Sequence, residues 1–167
     1  MAEKPVKSPD ATAKQRRPAR VRVTWAGGHR FDASRADSTT VIRLDGSGET
    51  GPSPVDGLLS SLAACSAVDV VDILAKRRTP ADELRVEVTG DRVNAVPARL
   101  ERVQLDFHVG GATVERTHAE RAIDLALTKY CSVRDSIAPD VTIEWTLTLN
   151  GETGLIINPA PARGTSK

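Results

Sequence analysis

Apolar and polar residues alternate from Val21 to Trp25, the period-two pattern of a half-buried strand. Gly27-Gly28 supplies a hairpin turn, and His29 to Ala33 reads as the partner strand. Thr39 to Leu44 is a third strand, rich in β-branched residues and closed by the loop Asp45-Gly46-Ser47-Gly48. The pattern then changes. From Leu58 to Leu74 the chain is apolar nearly all round, which predicts a central, buried helix. Ser53 stands at its N-cap, Pro54 at the first helical position and Asp56 at the third, close to a capping box with Asp for the usual Glu. Lys76, Arg77 and Arg78 suit the negative end of the helix dipole, and Pro80 stops the helix.

Beyond it, Glu83 to Arg92 and Arg99 to Val109 alternate like two antiparallel strands joined by a loop around Pro97. Gly110-Gly111 is a turn, and Val114 to Lys129 has a helix-like pattern. Tyr130-Cys131-Ser132-Val133 leaves that helix, and Val141 to Leu149 is the last strand. Strands, helix, strands, helix and strand make an α+β pattern. Residues 1–20, rich in Lys, Arg, Pro, Ser and Ala, read as a disordered arm, 158–167 as a flexible tail, and 21–157 as one domain.

Composition narrows the function classes. The 167 residues are 40% hydrophobic and 27% charged, with a formal net charge of +1, so no surface for nucleic acid or membrane is expected. Aromatic content of 3% argues against stacking platforms for single-stranded nucleic acid. No uninterrupted apolar run approaches the roughly 18 residues that span a bilayer, and the polar N-terminus lacks the apolar core of a secretory signal. The expected setting is the cytoplasm, where two cysteines read as free, catalytic or redox-sensing rather than as a permanent bridge. Two cysteines are too few for a four-Cys zinc site, and His29, His108 and His118 show no ligand spacing. No metal or organic cofactor is expected.

Cys65 lies within Ala63-Ala64-Cys65-Ser66-Ala67 on the apolar helix, where small neighbours let another group approach its sulfur. A free cysteine in such a place commonly behaves as a small hydrophobe. Cys131 follows a helix end beside Tyr130 and is open to the same reading. The two stand 66 residues apart, and no periodicity brings them together.

The wording around each cysteine carries more. Gly51-Pro52-Ser53-Pro54, Leu58-Leu59 and Ala63-Ala64-Cys65-Ser66-Ala67-Val68-Asp69-Val70-Val71 resemble the first cysteine region of OsmC/Ohr proteins. Lys129-Tyr130-Cys131-Ser132-Val133 resembles the second, and Gly90-Asp91-Arg92 and Pro97 fit between them. The likeness extends from Val21 to Leu149 and points to the YhfA-like branch. It implies an OsmC-like fold, with two long helices, one central and bearing Cys65, packed with antiparallel sheets in an intertwined homodimer. It also implies thiol-dependent reduction of hydroperoxides, organic ones above all, with Cys65 attacking and Cys131 resolving. The partners are then a hydroperoxide and a thiol or dithiol reductant.

A thiolate is the nucleophile, so such a site calls for a cation that favours it. Arg43-Leu44-Asp45-Gly46 resembles the arginine-bearing strand end of OsmC proteins, which makes Arg43 the candidate and Arg30 the alternative. Family members hold that arginine with a glutamate directly after the helix-start proline. Here Val55 takes that place, and the acid comes one later, at Asp56. Nine residues of ideal helix, about 900° of rotation, turn Asp56 to nearly the opposite face from Cys65. Asp56 is therefore open to two readings, a cap acid or the arginine's partner. Asp69, one turn after Cys65, opposes thiolate formation unless an arginine pairs with it. Two functions stay open: a cytoplasmic hydroperoxide reductase, or a protein of the same fold that binds an apolar ligand at the dimer interface or senses redox state.

Overall fold

The computed structural model describes residues 18–158; residues 1–17 of the expected arm and 159–167 of the expected tail lie outside them. The chain divides into two compact units that meet in sequence at Gly51 and Pro52.

The N-terminal unit is an antiparallel sheet in the order β1 (Val21–Trp25), β2 (Arg30–Arg35), β3 (Ile42–Asp45). Gly27 and Gly28 turn the first hairpin at φ 91° and 58°, a conformation that favours glycine. Val23 pairs with Ala33, Trp25 with Phe31, and Phe31 in turn with Leu44. This register puts Val21, Val23, Trp25, Phe31 and Ile42 on one face, and each is exposed. Asp45 is buried and ties down the loop after β3, accepting from the Ser47 and Thr50 main-chain N–H groups at 2.9 and 3.0 Å and from the Thr50 hydroxyl at 2.8 Å.

The C-terminal unit starts with α1 (Pro54–Lys76). Its sheet runs β4 (Glu83–Arg92), β5 (Leu100–Gly110), β6 (Thr142–Leu149), β7 (Glu152–Thr153). Between β5 and β6 come α2 (Arg116–Leu125), a π-helical turn (Ala126–Tyr130) and α3 (Ser132–Asp135). The α+β class and the two principal helices are as expected. One pairing is not antiparallel: β5 and β6 run parallel, Leu105 beside Trp145. The reason is the connection, since a chain that returns through a helix lays its next strand down in the same direction.

Alternation along β5 sends Val103, Leu105, Phe107 and Val109 into the core. They meet Trp145 and Leu147 of β6, Ala122 and Ile123 of α2, and Leu62, Val70 and Leu74 of α1 in one cluster. Burying a leucine such as Leu62 is worth about 1.5–3 kcal/mol. Gly90 of β4 is pressed between Leu100 and Leu59, where a Cβ would come within 2.7 Å of the Leu100 side chain.

α1 departs from the expectation of a fully buried helix. One stripe, Leu59, Leu62, Ser66, Val70 and Leu74, is buried, but Val68 is 62% exposed and Leu58 and Val71 are open as well. The helix packs on α2, β4, the π-helical turn and α3. By length and composition it is also apolar enough to cross a membrane, a property that the core helix of a water-soluble fold shares. The sequence pattern registers the helix's apolarity but not which neighbours one chain provides.

Candidate functional site

Three local devices place Cys65. Ser53 and Asp56 form a complete capping box: the Ser53 hydroxyl accepts from the Asp56 N–H at 3.2 Å, and the Asp56 carboxylate accepts from the Ser53 N–H at 2.9 Å. Pro54 fixes the first turn. The Ser66 hydroxyl donates back to the carbonyls of Leu62 and Ala63 at 2.9 and 3.0 Å, so a polar residue sits in the core without an orphaned group. Cys65 is then half-buried, packed against the core cluster.

Cys131 is placed by a break in the second helix. Across the π turn its N–H reaches back to the carbonyl of Ala126 at 2.9 Å. Such turns are rare and recur at functional sites. The backbone then becomes extended at Cys131, which caps α3: its sulfur accepts from the Arg134 main-chain N–H at 3.3 Å.

The two thiols are near enough for Cys65 to act on the titration of Cys131, although 66 residues separate them. Both are free. Burial, followed by the neighbouring Cys65, pushes the Cys131 thiol up to about 12, while the Arg134 N–H works the other way. Cys131 therefore keeps its proton at neutral pH. Cys65 is the less buried of the two sulfurs.

The remaining candidates each have a partner or a position within their own unit. Arg43 of β3 stands directly opposite Asp32 of β2 and holds its carboxylate through Nε and Nη2, the latter at 3.1 Å. That bond, with burial opposing it, holds the Asp32 carboxyl below its usual range and raises the Arg43 guanidinium. Arg30 donates from Nε to the Gly27 carbonyl at 3.1 Å, closing its own hairpin. Asp56 is occupied by the cap, and its hydrogen bonds with Ser53 lower its pKa. No ion pair reaches Asp69 among the described residues; burial first, then Asp72, raises its carboxyl, with Lys76 opposing.

Two residues escaped the sequence reading. Asp32 was legible only through the register of the second hairpin, which pairs it with Arg43. Arg134 is buried one turn after Cys131, and the i, i+3 spacing was its one signal. Among the described residues no group of three His, Cys, Asp or Glu side chains could hold a metal ion.

Comparison with known proteins identifies the family and the fold. The model of the family described as OsmC-like protein matches residues 46–146. Protein YhfA of Escherichia coli K12 is 35% identical over 112 residues, 67% of this chain and 84% of its own length. A crystal structure of an OsmC-like protein from Mycoplasma pneumoniae superposes with a TM-score of 0.70 at 20% identity, covering 81% of this chain and 99% of that one. The organic hydroperoxide resistance protein OhrB of Bacillus subtilis gives 0.54 at 16% identity, covering 80% and 98%. At those identities the two structures speak for the fold alone. The matched family model, the YhfA relative and the shared fold together make this chain a member of the OsmC-like family.

Proposed function

We propose that this chain reduces organic hydroperoxides through Cys65 and Cys131. The observation that supports this most is the nearness of the two free thiols, one on α1 and the other at the break after the π turn. A family that includes organic hydroperoxide resistance proteins supports the choice of substrate.

The chemistry follows from the asymmetry of the pair. The Cys65 thiolate attacks the outer oxygen of ROOH, the O–O bond breaks, and the alkoxide takes a proton to leave as ROH. Cys65 is then a sulfenic acid and its negative charge is gone. The influence of Cys65 on Cys131 falls away with that charge, so the Cys131 thiol becomes easier to ionise when it is needed. Its sulfur attacks Cys65, a disulfide forms and water leaves. An external thiol or dithiol reductant restores the pair by exchange, and a cytoplasmic setting supplies one. Arg43, the cation that the family resemblance implies, is already committed to Asp32.

The working form in this proposal is a homodimer. The uncovered side of α1 forms an apolar groove of about 650 Å³ lined by Ala63, Ala64, Ala67, Val68, Val71 and Leu84. The exposed apolar face of the N-terminal sheet is a second surface of the same kind. Exposed apolar surface of this kind supports an interface, and small side chains let another helix come close.

The test is peroxide consumption with cumene hydroperoxide and a dithiol reductant. Cys65→Ser is expected to abolish turnover, and Cys131→Ser to stop at a sulfenic acid that dimedone traps. Unchanged consumption by Cys65→Ser contradicts the proposal and leaves the binding or redox-sensing reading.

A further inference from the structure

A guanidinium is planar and presents its N–H donors along its edges, so a carboxylate that takes one whole edge fixes the orientation of the rest. Arg43 is held in this way. Asp32 stands directly opposite on the neighbouring strand and accepts from Nε and Nη2 together, so both of its oxygens are used. Opposite charges that face each other across an antiparallel pair are close enough for this. The arginine's stem is confined as well. A Cβ at Gly51 would come within 2.8 Å of the Arg43 carbonyl oxygen and 3.1 Å of its Cγ, so the loop after β3 lies directly against it. That loop is itself tied to the buried Asp45.

The held orientation leaves the other edge open. Among the described residues no group accepts from Arg43 Nη1, and the side chain is 38% exposed. An oriented guanidinium with a free edge is a receptor for an anion. What the nearby carboxylates already do shows which one holds it. Asp32 and Asp45 are the acids that act on Arg43. Asp45 is engaged with Ser47 and Thr50. Asp56, the acid at the start of α1, accepts from the Ser53 N–H in the capping box, and no ion pair reaches it among the described residues.

We infer that Asp32 is the positioning residue of the thiol reaction proposed above: from β2 it fixes the Arg43 guanidinium with its Nη1 edge open to an anion, the duty that Asp56 does not perform in this chain. Asp32 touches no reacting atom and acts through Arg43. The inference rests on the proposed thiol chemistry and deepens it by naming the acid that orients its arginine.

The test uses reduced, full-length protein with two readouts: alkylation of Cys65 by iodoacetamide at neutral pH, followed by mass, and consumption of cumene hydroperoxide. Asp32→Asn is expected to slow both about tenfold, the effect of a cation no longer held in place. Asp32→Glu restores most of the loss, and Arg43→Met slows both at least as much as Asp32→Asn. Because Asp32 acts through Arg43, adding Asp32→Asn to Arg43→Met changes nothing further. Asp37→Asn, at an exposed acid of the same unit, follows the wild type. Asp32→Asn rates at or above the wild type overturn the inference, since the acid then only competes for the arginine. Losses that multiply in the double variant overturn it too, as does an Arg43→Met that keeps the wild-type rate. If circular dichroism shows that Asp32→Asn has lost the fold, the comparison of Asp32→Glu with Asp32→Gln decides. Alkylation needs no peroxide, so a chain that leaves cumene hydroperoxide untouched refutes the peroxidase reading while the role of Asp32 still reads out.

Discussion

Raising the pH should destabilise this fold through one buried thiol. Cys131 is 4% exposed, and burial together with the neighbouring Cys65 pushes it up from 9.0 to about 12. Below 9.0 the folded and unfolded chains both keep the proton, and the contribution to stability is fully present. Between 9.0 and about 12 the unfolded chain has lost the proton and the folded chain has kept it. The unfolded state then binds fewer protons, so stability falls as pH rises. At about pH 10, roughly one decade into that window, the loss is on the order of 1 kcal/mol. Urea unfolding by circular dichroism at neutral pH and at about pH 10, with reductant and equal protein concentration, measures it. Cys131→Ala removes the titration, so the variant should lose less stability than the wild type over the same interval. Cys65→Ala removes the neighbour's share and should fall between them. Equal losses in all three would refute the placement of Cys131 as a buried thiol beside Cys65.

Other substitutions probe the frame around the pair. Leu62→Ala, at a fully buried position beside the Cys65 turn, should cost about 2–5 kcal/mol in urea unfolding. Asp56→Ala removes half of the capping box and should lower the thermal midpoint while peroxide consumption by the folded enzyme is retained, since its carboxylate serves the cap. Loss of consumption without loss of stability would return Asp56 to the site. Val68→Lys on the uncovered side of α1 should convert dimers to monomers in sedimentation velocity, and an unchanged sedimentation coefficient would remove that face from the interface.

Much of this was legible in the sequence, for reasons that can be located. Period-two alternation found β4 at Glu83–Arg92 and the last strand within a residue, because each buries one face. Ser53, Pro54 and Asp56 marked the start of α1, because capping is local chemistry. The parallel pairing of β5 with β6, the π turn and the two-residue β7 carry no local signal, since each depends on where distant chain already lies. The site divides along the same line. The flanking motifs singled out Cys65 and Cys131, but their nearness arises only in the folded chain. Arg43 was visible as a cation and Asp32 was not visible as its partner, because register across a hairpin decides it. Arg134 reads in sequence as an ordinary surface arginine, and only burial makes it notable.

The central claim is that Cys65 and Cys131 act as one redox pair. One equivalent of cumene hydroperoxide added to fully reduced protein, followed by peptide mass mapping, tests it most directly. The account predicts a Cys65–Cys131 disulfide formed in proportion to the peroxide reduced, and absent in Cys65→Ser. Two free thiols after the peroxide has been offered, or Cys65 oxidised while Cys131 stays free, would contradict it.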